Sequence, residues 1–291
     1  MRPINDRTIL VTGASDGLGK ALAGELAARG ATVLLHGRSA ERLAASVHEI
    51  REATGSDRLR AYRADFASLE SVRELASEVM RDHARLDVLV NNAGIGGGTP
   101  GGARQESADG HELRFAVNYL APFLLTNLLL PLVSRSAPAR IVNVASVGQA
   151  PIEFDDIMLR RHYDGMRAYS QSKLALIAFT FELAARLHAA GDTGVTVNAL
   201  HPASLMNTKM VYESFGYTMS TVADGLEATL RLVVAPELEA VSGRYFDRLK
   251  EARAHRQAYD ATVRRRLWRV SEGLVGLLPA TAEPAPRPMT A

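Results

Sequence analysis

Apolar residues fall in two kinds of run along this chain. Short β-branched and aliphatic runs at 8–12, 31–35, 59–64 and 86–90 end in glycine or polar residues, as buried parallel strands do. Between them lie stretches with apolar positions at helical spacing: 20–29, stopped by Gly30, then 40–54, then 68–81 with Ser68 as its N-cap. Further on the pattern predicts a helix at 111–133, a strand at 140–145, a helix at 168–190, a strand at 195–200, a helix at 221–234 and a strand at 242–246. Strand and helix in alternation specify an α/β fold, a doubly wound parallel sheet of about seven strands with right-handed crossovers and helices on both faces. One domain is expected over 1–246. Residues 250–278 predict one or two Arg-rich helices, with Tyr259, Val263, Leu267, Val270 and Leu274 at helical spacing, in an extension over 247–278 packed on the domain. The Pro- and Ala-rich stretch 279–291 is expected to be disordered.

Two of these helices, 111–133 and 168–190, are apolar nearly all round, so they need cover on every side. Complete burial within one chain and an interface with a second copy both supply it. The most apolar runs, 124–133 and 174–181, fall short of the ~18 residues that span a bilayer. With 291 residues the chain can build an ample core. A net charge of +2 is too small to point to nucleic acid, and the run Arg264-Arg265-Arg266 is expected to be a solvated helix face. The absence of cysteine excludes disulfides, thiolate nucleophiles and Cys-ligated metal. The start, 1–6, carries no apolar signal segment, and a cytoplasmic location is the expectation.

Chemistry enters with Tyr169-Ser170-Gln171-Ser172-Lys173. Tyr and Lys at i and i+4 share one helix face, where the ammonium is expected to draw the phenol down from a pKa of about 10 and make it a usable general acid. A lone pair of this kind is as readily a solvated surface pair. Its weight comes from other stretches. Gly13-Ala14-Ser15-Asp16-Gly17-Leu18-Gly19 joins the first strand to the first helix, where glycines let the backbone approach a pyrophosphate at a helix N-terminus. A P-loop is excluded, since no glycine lies five residues before Gly19 and no Ser or Thr follows Lys20. After the second strand no acid stands between Val33 and Ala40 to hold a ribose 2′-hydroxyl, whereas Arg38 suits a 2′-phosphate, so the cofactor read here is NADP(H). Asp65-Phe66 follows the third strand, at the carboxyl edge of the sheet.

Thr12-Gly13-xxx-Gly17-x-Gly19, Asn91-Asn92-Ala93-Gly94 and Tyr169-xxx-Lys173 together resemble the short-chain dehydrogenase/reductase family over residues 7–246. The resemblance implies a Rossmann-type sheet and a catalytic set of Ser146, Tyr169, Lys173 and the helix residue Asn118. It further implies cofactor contacts from Gly13, Ser15, Gly17, Leu18, Gly19, Asp65, Phe66, Asn91, Ala93, Gly94, Pro202 and Thr208, with Tyr169 and Lys173 also touching the cofactor. Ala203 stands where the family has a glycine. In this family the counterparts of helices 111–133 and 168–190 build a four-helix interface, so a homodimer or homotetramer is implied.

The stretch between Ser146 and Tyr169 is longer than in most members. The extra segment 148–166 resembles that of the retinol-dehydrogenase-like and protochlorophyllide-reductase-like branch. It brings a rival phenol, Tyr163, which has Arg167 and not Lys at i+4. Loops 94–110 and 204–220 are expected to be mobile walls of a substrate site. Met206, Met210, Tyr212, Phe215, Tyr217 and Met219 favour a partly apolar substrate. The function expected is reversible hydride transfer between NADPH and a carbonyl or alcohol substrate, in the direction of reducing a partly apolar ketone or aldehyde. The alternatives are a catalytically silent nucleotide sensor, against which the full catalytic set argues, and an extended-branch nucleotide-sugar epimerase or dehydratase, for which too little chain follows Phe246.

Overall fold

Successive strand residues face opposite sides of a sheet, and in this chain both sides are covered. The computed structural model describes residues 1–192 and 194–277, so the expectation for 279–291 lies outside the described residues. The chain runs β1 (Thr8–Val11), α1 (Gly17–Ala28), β2 (Thr32–Gly37), α2 (Ala40–Thr54), β3 (Leu59–Arg63), α3 (Leu69–Asp82), β4 (Val88–Asn91) and α4 (Leu113–Arg135). It continues through β5 (Ala139–Val144), α5 (Gly165–Ala189), β6 (Val195–His201), α6 (Lys209–Phe215), α7 (Val222–Val234), β7 (Arg244–Asp247), β8 (Lys250–Glu251) and α8 (Ala261–Leu274). The sheet order is β3-β2-β1-β4-β5-β6-β7-β8, parallel throughout except for β7 with β8. The order reverses between β1 and β4, and the crevice beyond the carboxyl ends at such a switch point is where ligands bind.

Alternation along β1 divides the core. Leu10 joins Leu34, Leu89, Phe123 and Phe179 on the side of α3, α4 and α5. Ile9 and Val11 join Leu22, Leu26, Val33 and Ala228 on the side of α1, α2 and α7. Ser68 caps α3 as expected, and Thr221 and Asp224 form a capping box on α7.

Several expectations change. Lys250 and Glu251 add a short antiparallel strand where a helix was expected, and the helix begins at Ala261. Segment 204–220 holds the two-turn helix α6 and is closed by a bridge from Met206 to Ser220. The cover that α4 and α5 need comes from α8. The Trp268 ring lies 5.1 Å from Phe123 and 5.7 Å from Phe179, Arg186 sits 4.0 Å above it, and Ser271 bonds the buried Tyr119 hydroxyl at 2.6 Å. Part of the apolar surface of these two helices is therefore covered within one chain, by its own C-terminal helix. Nor is the arginine run simply solvated. Arg264 pairs with the buried Glu182 at 3.5 Å and Arg266 covers Phe154 at 4.4 Å. Helix α4 is long and apolar enough to cross a membrane, and 78% of its most apolar window is buried inside the fold.

Candidate active site

Asp164 caps α5 through the Arg167 amide, which fixes the start of the helix carrying Tyr169 and Lys173. Ser146 follows β5 and is held from three directions. Its hydroxyl accepts from the Gly148 amide at 3.0 Å, and its carbonyl accepts from Gln149 Nε2 at 3.0 Å and the Tyr245 hydroxyl at 3.1 Å. A Cβ on Gly148 would lie 3.5 Å from Ser146 Oγ and 3.8 Å from Tyr169 Cε1, so Ser and Tyr look into the same space across that glycine. Lys173 Nζ donates to the Val144 carbonyl at 2.9 Å and lies 5.7 Å from the Tyr169 ring centre. Asn118 sits in a π turn (Ala116–Leu120) within α4, a distortion frequent at functional sites. Its amide is engaged with both polar groups of Ile95, at 2.8 and 3.0 Å, and with Ser172 Oγ at 3.0 Å. Gly94 is the meeting point: a Cβ there would be 3.2 Å from Asn118 Oδ1 and 3.4 Å from Lys173 Nζ. Asn118, Ser146 and the Tyr169–Lys173 pair, from three separate stretches of the chain, thus surround one small space.

The electrostatics differ from the sequence expectation. Burial raises the pKa of the Tyr169 phenol, and the hydrogen bond with Ser146 offsets only part of the rise. Burial lowers that of Lys173 to about 8. The ammonium donates to the Val144 carbonyl, and its charge does not bring the phenol below its ordinary value. Desolvation outweighs the pairing.

The turn after β1 is built for close approach. Gly13 has φ +67° and a Cβ on it would lie 2.8 Å from Ala93 Cα, while a Cβ on Gly19 would meet the Gly13 carbonyl at 2.2 Å. Gly17, at φ +50°, leaves room for the Thr208 methyl, 3.3 Å from where its Cβ would be. Arg38 is exposed just past β2, next to Gly37, on which a Cβ would lie 3.0 Å from Ser15 Oγ. The glycine turn, with the N-terminus of α1, fits the pyrophosphate of a dinucleotide.

A sequence profile described as short chain dehydrogenase matches residues 7–216. The chain belongs to the short chain dehydrogenase family. Within it the chain falls in the retinol-dehydrogenase-like branch: retinol dehydrogenase 13 of Mus musculus is 41% identical over 298 residues, covering 97% of this chain and 87% of that protein. Among solved structures, a protein from Mycobacterium Paratuberculosis superposes with a TM-score of 0.75 at 31% identity, over 93% of this chain and 94% of its own. A short chain dehydrogenase from Escherichia coli CFT073 complexed with NADPH gives 0.69 at 30% identity, over 85% and 98%.

Not every residue implied by the family resemblance faces the cofactor crevice of this short chain dehydrogenase. Asn91 is buried and ties β4 to its neighbours through Thr126 at 3.0 Å and Asn143 at 2.8 Å, so its side chain is spent on the core. The next residue, Asn92, does the bracing instead, donating to the Thr12 and Gly13 carbonyls at 2.8 and 3.2 Å. The Leu18 side chain is buried among the apolar residues on the α7 side of the sheet, leaving its backbone for a ligand. Pro202 and Ala203 are buried, with Pro202 Cβ 3.5 Å from where a Cβ on Gly225 of α7 would lie, and the Asp65 carboxylate caps the Ala67 amide at 2.9 Å.

Phe66 stacks on His36, ring centres 4.3 Å apart. His36 was not expected. Its Nδ1 accepts from the Gly13 amide at 3.2 Å and its Nε2 donates to the Ala64 carbonyl at 3.1 Å, which fixes the neutral tautomer. Burial lowers its pKa to about 4. The one signal in the sequence is a polar ring at the end of an otherwise aliphatic strand.

Proposed function

We propose that this oxidoreductase reduces a partly apolar aldehyde or ketone with NADPH. The observation that carries the reading is the convergence of Ser146, Tyr169 and Lys173 on one space at the carboxyl edge of the sheet, beside the glycine turn. NADPH, when bound, supplies the hydride. Gly13, Gly17, Gly19 and the first turn of α1 would hold its pyrophosphate and Arg38 its 2′-phosphate, a choice supported by the lack of an acid near Arg38 and by the NADPH-complexed neighbour.

Tyr169, kept protonated by burial, donates its proton to the carbonyl oxygen as that oxygen gains charge. Ser146 Oγ, already oriented by the Gly148 amide, donates a second hydrogen bond to the same oxygen. Lys173 places a positive charge 5.7 Å from the phenol ring and favours the phenolate left behind. Asn118 holds the Ile95 backbone and so fixes Gly94 beside Lys173.

The lid and the names of the relatives support the substrate class proposed. Tyr212, Tyr217 and Met219 are more than half exposed around α6, and the relatives carry the name retinol dehydrogenase. A retinoid-like, long apolar aldehyde fits both. The test is NADPH and NADH oxidation with all-trans-retinaldehyde and hexanal. Faster oxidation of NADPH with retinaldehyde is the expected result. NADH preference, or no oxidation with either aldehyde, contradicts the reading.

A further inference from the structure

The segment between Ser146 and Tyr169 brings in a phenol that the chemistry does not use. Tyr163 donates to Glu112 Oε1 at 3.0 Å, and Glu112 is fully buried. The other carboxylate oxygen accepts from the Phe115 amide at 2.7 Å, which anchors Glu112 to the start of α4. Two residues on, Arg114 is buried too, with Nη1 3.6 Å from Glu112 and its guanidinium 6.0 Å from the centre of the Tyr163 ring. Arg114 Nε donates to the carbonyl of Gly96 at 3.2 Å. A buried carboxylate and a buried guanidinium, one partnered by a phenol and the other by a loop carbonyl, are costly to assemble unless the geometry is kept.

What the arginine holds is the Gly96–Gly98 backbone, and this backbone has little slack. A Cβ on Gly96 would lie 2.6 Å from Ser214 Oγ and 3.1 Å from Met210 Cγ, both on the lid helix α6. A Cβ on Gly97 would meet Met166 Sδ at 2.3 Å, one turn before Tyr169. A Cβ on Gly165 would lie 2.0 Å from the Gly97 carbonyl, and one on Gly98 would lie 2.5 Å from Arg114 Nη2. The glycines therefore sit where the catalytic helix, the lid and Arg114 meet.

We infer that Tyr163, Glu112 and Arg114 are positioning residues that fix the Gly96–Gly98 wall of the carbonyl site, and so set which carbonyl compounds fit beneath the lid. The inference rests on the reading that the carbonyl lies between Ser146 and Tyr169. It assigns the rival phenol a role in specificity and none in proton transfer. Tyr163 supports this: burial and the neighbouring Glu112 carboxylate push its pKa up to about 12, and its hydroxyl is already engaged as a hydrogen-bond donor to Glu112.

The wall can be followed without any turnover, because methionines touch each part of the network. Met158 Sδ accepts from the Glu112 amide at 3.4 Å, Met166 lies against Gly97, Met210 against Gly96, and Met80 is a remote, exposed site on α3. In the full chain labelled with [methyl-¹³C]methionine, Tyr163→Phe is expected to shift or broaden the Met166 and Met210 signals and to leave Met80 in place. Arg114→Lys keeps the charge beside Glu112 but gives up the planar donor to Gly96, and is expected to move the same two signals. With NADPH, Tyr163→Phe should raise KM for all-trans-retinaldehyde about five- to tenfold, with kcat and NADPH affinity within twofold of the parent protein. Movement of Met158 alone would show a local packing role and overturn the inference. So would a loss of kcat by orders of magnitude, which would make Tyr163 the acid. If the parent protein reduces neither retinaldehyde nor hexanal, the proposed function fails and the methionine signals alone decide this inference.

Discussion

Tyr169 and Lys173 are displaced in opposite directions by one cause. Each is desolvated, so the phenol keeps its proton well beyond neutral pH while the ammonium loses its own near pH 8. The positive charge that favours the departing proton is present below about pH 8 and lost above it, so reductive kcat/KM should fall as pH rises through that value. A profile flat from pH 6 to 10 would remove Lys173 from the account. His36 gives a second, independent pH effect. Its folded-state pKa of about 4 lies below the ~6.5 of a free imidazole. Between these values the unfolded chain binds a proton that the folded chain refuses, so stability rises with pH across that window. At ~1.4 kcal/mol per unit, at most roughly 3.5 kcal/mol is lost as pH falls from ~6.5 to about 4. Urea unfolding of the parent protein and of His36→Gln at pH 7 and pH 4.5 should show a smaller acid loss in the variant. At Arg38 the prediction concerns cofactor choice: Arg38→Asp should turn an NADPH preference into an NADH preference, read from the two KM values. Residues such as Tyr169, Lys173 and the three turn glycines were legible because their spacing is local. His36 and Arg114 were not, since what they touch lies at Gly13 and Gly96, on other elements.

At the scale of elements, runs of aliphatic residues located the main strands because a parallel strand buried on both faces has few polar positions to spare. The two-residue β8 left no such trace, and α6 lies in a segment without apolar periodicity. Helix α8 was expected, but what it covers could not be read: the sequence shows that α4 and α5 need a neighbour and does not say which. Trp268 is the chain's single tryptophan and sits against Phe123 and Phe179. Truncating it to Ala should cost about 3–5 kcal/mol, as buried aromatic deletions do, measured by chemical unfolding. A loss under about 1 kcal/mol would mean that α8 does not cover the core.

At the scale of the molecule, the chain's own C-terminal helix covers part of the surface where the sequence led one to expect a second copy. Light scattering of the full chain decides between the two: a mass near 31.4 kDa leaves α8 as cover within one chain, and twice that mass restores the expected dimer. Around the crevice, the sheet fixes the glycine turn, Ser146 and α5 in one frame. Tyr169→Phe tests the central claim most directly, because it deletes one hydroxyl and keeps the ring. NADPH binding by fluorescence and NADPH oxidation with all-trans-retinaldehyde should be measured on the same preparation. The account predicts a dissociation constant within twofold of the parent protein and turnover lower by at least about a thousandfold, near the upper range of general-acid effects combined with loss of the Ser146 partnership. A variant that binds NADPH and still reduces retinaldehyde at the parent rate would contradict it.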